Sequence, residues 1–187
     1  MQVNTIAAGE GLELALPECE KGLGQLITDP DSRDLIEGVR VQPLKLHPDD
    51  RGYFLEVLRT GQGLVAVYSH GTMQVSAAYN YPGAIKAFHY HLRQVDCFTP
   101  VMGLLQIALV DLRRGSPTFG ARNTIYAGAL RPWQVLIPAG VGHGYKVIGS
   151  EPSMLVYASD RFYDPKDEGR IAYNDPSINY DWETQHK

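Results

Sequence analysis

Residues 83–103 read GAIKAFHYHLRQVDCFTPVMG, and this stretch decides the fold. It places His89 and His91 two residues apart, follows them with Asp96, and has a glycine at each end. Side chains two residues apart on a β-strand point to the same face of the sheet. The stretch therefore predicts a strand that presents two imidazoles to one surface, with a carboxylate close behind them.

A second stretch, residues 137–143 (IPAGVGH), supplies another histidine about fifty residues later. Inside a barrel, a strand distant in sequence can bring His143 to the first two histidines. Together the stretches resemble the two signature motifs of the cupin superfamily, G-x5-H-x-H-x3-4-E-x6-G and P-x-G-x2-H. Asp96 stands where that superfamily has glutamate, and Val147 replaces a final asparagine.

Composition sets the broad class of protein. The 187 residues are 44% hydrophobic and 20% charged, which is ordinary for one globular domain. The formal net charge of −4 and the lack of a basic block argue against nucleic-acid binding. No apolar run is long enough for a membrane span, and no signal peptide is evident. With two cysteines, Cys19 and Cys97, the chain fits a reducing compartment, so we expect a cytoplasmic protein.

The chain divides into an irregular start and a series of short β-like runs. Residues 1–37 are interrupted by glycine, proline and acidic residues, which predicts an extension that wraps the surface or a partner subunit. Residues 38–187 predict an all-β sandwich or barrel. The resemblance to cupins narrows this to a double-stranded β-helix, or jelly-roll barrel, with an N-terminal extension. The runs expected to form strands are Leu64–Tyr68, Met73–Tyr79, Ala84–His91, Leu104–Leu112, Val135–Ile137, Tyr145–Ile148 and Met154–Ser159.

One interpretation of the two motifs is a metal centre. Imidazoles and a carboxylate suit divalent ions such as iron, manganese, nickel and zinc. The ligands would be His89, His91, Asp96 and His143. Hydrogen-bonded histidines that line a barrel without metal are the alternative. The spacing leaves both readings open.

A second resemblance covers nearly the whole domain. Several stretches follow, in order, the family of dTDP-4-dehydrorhamnose 3,5-epimerases, a cupin branch that works without metal. The stretch Asp50–Glu56 is similar to that family's D-x-R-G-x-F-x-E, and the ending DPSINYDW is distinctive. The remaining matching stretches are residues 74–75, 84–90, 110–120, 137–145, 157–165 and 174–182.

The resemblance implies roles for individual side chains in proton abstraction next to the C4 ketone of a nucleotide-linked 6-deoxyhexose. It implies that His89 is the catalytic base and that Tyr157 returns a proton to the opposite face. It implies a phosphate contact for Lys86 and a base-stacking surface for Tyr163. The other residues that it implies to bind substrate are Arg51, Glu56, Gln74 and His143.

Departures from the family concentrate around the base. Asp96 stands where the resemblance expects an enolate-stabilising lysine, and Ile107 where it expects an aspartate. His91 stands where the family typically carries glutamine. The carboxylate expected to orient the base lies, in the family, beyond the stretch that matches Asp181-Trp182. Without it, the base is expected to lose rate unless another acid substitutes.

Three functions follow as hypotheses. The first is a nucleotide-sugar epimerase or isomerase that acts on a dTDP-4-keto-6-deoxyhexose, needs no cofactor and forms a homodimer. The second is a cupin enzyme that uses one divalent transition metal on a small carbonyl or carboxylate substrate. The third is a catalytically silent module that binds nucleotide-linked sugars.

Overall fold

The computed structural model describes residues 5–9, 11–68 and 71–184, and it is nearly all β. Residues 1–4 and 10 of the expected extension lie outside the described residues. A 3-10 helix spans Gly63–Val67. The strands are β1 (Thr5–Gly9), β2 (Leu12–Ala15), β3 (Gln25–Leu26), β4 (Arg40–Pro43), β5 (Leu46–Asp49), β6 (Gly52–Leu55), β7 (Gln74–Asn80), β8 (Ile85–His91), β9 (Asp96–Met102), β10 (Leu104–Asp111), β11 (Arg122–Gly128), β12 (Trp133–Ile137), β13 (Val141–Val147), β14 (Ser153–Ser159) and β15 (Glu168–Arg170).

Two sheets form the barrel. One has the order β15-β8-β13-β10-β11-β3 and the other β4-β12-β9-β14-β7. From β7 to β10, and again from β11 to β14, the chain crosses from one sheet to the other at each new strand. This winding is the double-stranded β-helix expected from the motifs, so the predicted fold class is confirmed. The main core lies between the sheets and includes Ile107, Leu109, Val135, Ile137 and Leu155.

The six-stranded sheet also has a buried outer face. Alternation along β8 sends Phe88 and Tyr90 outward, where they pack with Tyr180 and Trp182 from the C-terminal segment. The same alternation sends His89 and His91 to the inner side of the sheet. Packing of the aromatic residues thus determines the direction in which both histidines point.

The segment before residue 38 packs on the barrel of its own chain. β3 pairs in parallel with β11, and Ile27 and Ile36 are fully buried in the main core. Leu14 joins the outer cluster. The division of the chain at residue 37 remains a prediction.

A β-bulge interrupts the pairing of β8 with β13. His143 lies opposite His89, but the next paired residues are Tyr145 and Lys86, so β8 has one extra residue in this interval. Lys86 and His89 consequently face the same side, although strict alternation would separate them. Gly144 lies at the bulge, where an added Cβ would overlap the Ala87 side chain.

Two strand predictions differ from the structure. Residues 64–68 were expected to form a strand, but Gly63–Val67 form a 3-10 helix, which buries Leu64 and Val65. A short apolar run does not reveal which backbone conformation buries it. β13 begins at Val141, four residues before the predicted start. Gly142 and Gly144 interrupt the alternating sequence pattern of this strand, but they allow close packing against neighbouring strands. Among the described residues, no helix is long and apolar enough to cross a membrane.

Gly144→Ala should destabilise the fold, because its methyl group would force β8 and β13 apart. We expect a loss of about 1–3 kcal/mol in the free energy of unfolding, as for other overpacked cores. Gly115→Ala is the matched control, since no atom lies within 4 Å of its added Cβ. Denaturant titration measures both, and equal stabilities would contradict the assigned role of Gly144.

Candidate active site

A cavity of about 280 Å³ lies between the two sheets. Strands β7, β8, β9, β13, β14 and β15 each contribute side chains to its wall. Most of the candidate residues from the sequence therefore meet in one place. The predicted residues that line the cavity are Gln74, Lys86, His89, His91, Asp96, His143, Tyr157 and Tyr163.

Arg51 and Glu56 do not line this cavity. Arg51 lies in the turn between β5 and β6, is 82% exposed, and pairs with Asp49 at 2.5 Å. Glu56 follows that hairpin and pairs with Arg59 at 2.7 Å. Within one chain, the hairpin thus holds both residues outside the cavity. Their contact with a nucleotide remains a prediction.

His89 has a carboxylate partner. Its Nδ1 lies 3.0 Å from Oε1 of Glu168, which is on the neighbouring strand β15. Burial raises the pKa of Glu168, but hydrogen bonds from Arg170 and His89 outweigh this effect and lower it below its ordinary value. Glu168 is therefore a carboxylate that accepts the Nδ1 proton and leaves Nε2 of His89 available as a base.

Tyr157 comes from the other sheet. It lies on β14, is partly buried, and packs against Phe98 with ring centroids 5.9 Å apart. His89 lies on the six-stranded sheet and Tyr157 on the five-stranded sheet, and both line the cavity. A proton acceptor and a proton donor are thus carried by facing walls.

His91, Asp96 and His143 form a buried cluster beside the base. Nε2 of each histidine lies 3.3 Å from Oδ2 of Asp96. Gln94 donates to the other carboxylate oxygen at 2.8 Å, and Nδ1 of His143 is 3.0 Å from the carbonyl oxygen of Val141. The three histidine rings stack in the order His89, His143, His91, with centroids 6.4 and 5.6 Å apart.

The two histidines of the cluster differ in charge. Burial lowers the pKa of His143 to about 4, so its ring is neutral near pH 7. Burial also opposes charge on His91, but its hydrogen bond to Asp96 and the nearby carboxylates raise its pKa above the ordinary value. The same contacts outweigh burial at Asp96 and lower its pKa. The contacts of the cluster therefore favour the charged forms of His91 and Asp96 beside the neutral ring of His143.

The predicted four-residue metal set remains a prediction. Among the described residues, the ligand atoms of His91, Asp96 and His143 lie within 4.8 Å of one another, and His89 is not part of this group. Two imidazoles and a carboxylate are a donor set that fits a divalent transition metal. The hydrogen bond from Nδ1 of His143 to a carbonyl also suits a metal ligand.

Gln74 and Tyr163 lie together at the cavity mouth. The backbone N–H of Tyr163 donates to the side-chain oxygen of Gln74 at 3.0 Å. This bond holds the exposed Tyr163 beside the opening. The two residues are therefore coupled in position, which their distance in sequence does not reveal.

Among the polar residues of the wall that sequence reasoning missed are Gln94, Glu168 and Arg170. Gln94 lies in the loop between β8 and β9, where no pattern marks it. The other two lie on a strand too short for an alternating pattern. The triplet Glu168-Gly169-Arg170 could still have been found, because residues i and i+2 share a face of any strand.

Comparison with known proteins identifies the family. The family model described as dTDP-4-dehydrorhamnose 3,5-epimerase matches residues 33–187, which is most of the chain. This chain belongs to the dTDP-4-dehydrorhamnose 3,5-epimerase family. The predicted family and enzyme class are therefore confirmed, and membership does not favour a metal enzyme of another class or a silent binding module.

Relatives of this epimerase-family chain come from several organisms. It is 40% identical to the spore coat polysaccharide biosynthesis protein SpsL of Bacillus subtilis over 82% of the chain and all of that protein. It is 33% identical to a dTDP-4-dehydrorhamnose 3,5-epimerase of Pseudomonas aeruginosa, covering 73% of the chain and 77% of that enzyme. The solved epimerase RmlC of Legionella pneumophila, in complex with dTDP-4-keto-L-rhamnose, superposes with a TM-score of 0.70 at 26% identity. That match covers 81% of this chain and 82% of RmlC.

Glu168→Gln should lower kcat of the epimerase reaction at least about tenfold, because His89 loses the carboxylate that orients its ring and stabilises its charged form. Steady-state kinetics measures the effect. Glu13→Gln is the matched control, since Glu13 also pairs with an arginine, Arg114, but lies outside the cavity. A Glu168→Gln enzyme with the wild-type kcat would show that the base needs no carboxylate partner.

Proposed function

We propose that this chain epimerises a dTDP-4-keto-6-deoxyhexose at a carbon next to the ketone, with His89 as base and Tyr157 as acid. The observation that carries the proposal is the arrangement of these two residues on facing walls of one cavity, with Glu168 bound to His89. Inversion of a carbon needs a proton to leave from one side and return on the other. Side chains of two opposed sheets can approach a sugar ring from both sides.

The proposed reaction begins at Nε2 of His89. This nitrogen takes the proton from the carbon, the C–H electron pair moves toward the C4 oxygen, and an enolate forms. The hydroxyl of Tyr157 then delivers a proton to the opposite face of the same carbon, and the ketone is restored. Exchange with water returns both residues to their starting states, and Glu168 stabilises the imidazolium in between.

The enolate oxygen needs a positive charge or a hydrogen-bond donor close by. In this chain the lysine expected from the family is Asp96, which cannot supply either. The described wall offers Lys86 at the mouth and, in the interior, His91, whose pKa is raised by its contact with Asp96. We propose that Lys86 and His91, both on β8, stabilise the enolate.

The nucleotide part of the substrate is proposed to lie at the cavity mouth, against Gln74, Lys86 and Tyr163. Arg51 and Glu56 would reach it only from a second subunit, so we propose a homodimer. The edge strand β7 has one unpaired side and exposes Val75 and Tyr79, which supports a subunit contact there. A cytoplasmic location is part of the same proposal and fits the free Cys19 and Cys97.

His89→Ala and Tyr157→Phe should each lower turnover by about 10²–10⁴-fold, the usual contribution of a general acid or base. Binding of dTDP should change little, because neither residue is assigned to the nucleotide. Calorimetry measures binding, and proton exchange at the sugar carbons is followed by NMR in deuterated water. Exchange at one carbon or two also reveals how many centres react.

A His89→Ala enzyme with near-normal exchange would remove this mechanism. Deuterium uptake reports the first proton transfer, whereas inverted product requires both transfers. The two variants are therefore compared for deuterium uptake and for product. Uptake without inversion in Tyr157→Phe is the outcome that supports its role as the acid on the second face.

We propose further that the proton transfers need no cofactor. Both carboxylate oxygens of Asp96 already have protein partners, Gln94 and His91, which supports this view. A divalent ion bound by His91, Asp96 and His143 would instead supply a Lewis acid to polarise the ketone. Protein purified without chelators should therefore contain well under one transition metal per chain. One equivalent of metal, lost together with activity in His91→Ala, would contradict the proposal.

A further inference from the structure

Arg170 is a cation at the cavity mouth to which no role is assigned above. Its side chain is 71% exposed and lines the same cavity as Lys86 and Tyr163. The pairing of β15 with β8 sets Arg170 directly opposite His89. An exposed guanidinium therefore lies next to the proposed base, on the side from which a substrate enters.

Arg170 and His89 share one oxygen atom. Nε of Arg170 donates to Oε1 of Glu168 at 2.7 Å, and Nδ1 of His89 lies 3.0 Å from the same Oε1. The carboxylate that orients the base is thus also the anchor of the arginine. Because Arg170 is mostly in water, its ion pair is weak and open to exchange.

A diphosphate is a better partner than this carboxylate. It carries more negative charge, and its oxygens match the planar fork of a guanidinium with two parallel hydrogen bonds. Lys86 supplies charge at the mouth but has no such fork. Arg51, which was expected to bind substrate, pairs with Asp49 outside the cavity.

We propose that Arg170 binds the diphosphate of the nucleotide sugar and is held by Glu168 until the substrate arrives. When Arg170 moves to the diphosphate, His89 no longer shares Oε1 of Glu168 with the arginine. Substrate binding thereby makes the proposed base the sole partner of this oxygen atom. This inference rests on the proposed function, because it takes the substrate to be a nucleoside diphosphate sugar.

The first test compares dTDP with thymidine, which lacks both phosphates. Arg170→Gln should weaken dTDP binding about 10- to 100-fold, the range for hydrogen bonds between charged groups. Thymidine binding should stay within about twofold of wild type, as expected for a residue that contacts phosphate only. Arg114→Gln is the control, because Arg114 also forms a short ion pair, with Glu13 at 2.5 Å, away from the cavity.

The second test asks whether Glu168 restrains Arg170. Glu168→Gln should tighten dTDP binding, since it releases the arginine, and the gain should vanish when Arg170→Gln is added. If Glu168→Gln tightened dTDP binding equally with and without Arg170→Gln, the gain would come only from the removal of a negative charge. That result would overturn the proposal that Glu168 restrains Arg170.

The two levels of the proposal fail differently. Equal dTDP affinity in wild type and Arg170→Gln would overturn the inference and leave the proposed function standing. No dTDP binding by the wild-type protein would remove the proposed function itself. Circular dichroism and thermal melting confirm that each variant is folded before its affinity is compared.

Discussion

The pairing of β8 with β13 is the constraint on which the site depends. Its bulge sets His143 opposite His89 and Tyr145 opposite Lys86, so that a base and a cation three residues apart share one wall. Gly144 permits the close approach of the two strands at this point. The outer face of β8 is held by packing of Phe88 and Tyr90, so the inner face cannot rotate away. Backbone register, rather than any loop, therefore positions the chemistry.

Charge balance explains how the interior differs from the pattern expected for the family. If the lysine expected at position 96 were replaced by Asp96 alone, a buried carboxylate would be left without a partner, which is strongly unfavourable. His91, in place of the usual glutamine, supplies the positive partner and pairs with it at 3.3 Å. Ile107, where an aspartate was expected, is fully buried in the apolar core and needs no partner. The departures at positions 91 and 96 are thus physically linked, and they place the cationic partner on β8, in the sheet opposite β9.

The sequence was sufficient for the barrel and for most of the cavity wall, because motif spacing and strand alternation are local properties. Strict alternation along β8 would separate Lys86 from His89, and the bulge that brings them to one face depends on the pairing with β13, which the local sequence does not reveal. Glu168 remained hidden because its relation to His89 is a cross-strand contact between residues far apart in the chain. Arg51 and Glu56 show the opposite case. Their stretch is the clearest local match, yet the hairpin that carries them lies outside the cavity of its own chain.

A cavity between two sheets is physically suited to inversion of a carbon. Strands β8 and β14 belong to opposed sheets and both line the cavity, so the proposed base and acid would act on opposite faces of a sugar ring without moving. Strands within continuous ladders hold their side chains in place more firmly than loops do, which favours proton transfer over short distances. The carboxylate behind His89 belongs to the short edge strand β15, where a side chain can change partners more easily than in the interior. The rigid part of the wall thus fixes the geometry, while the edge strand is the part that can respond to a ligand.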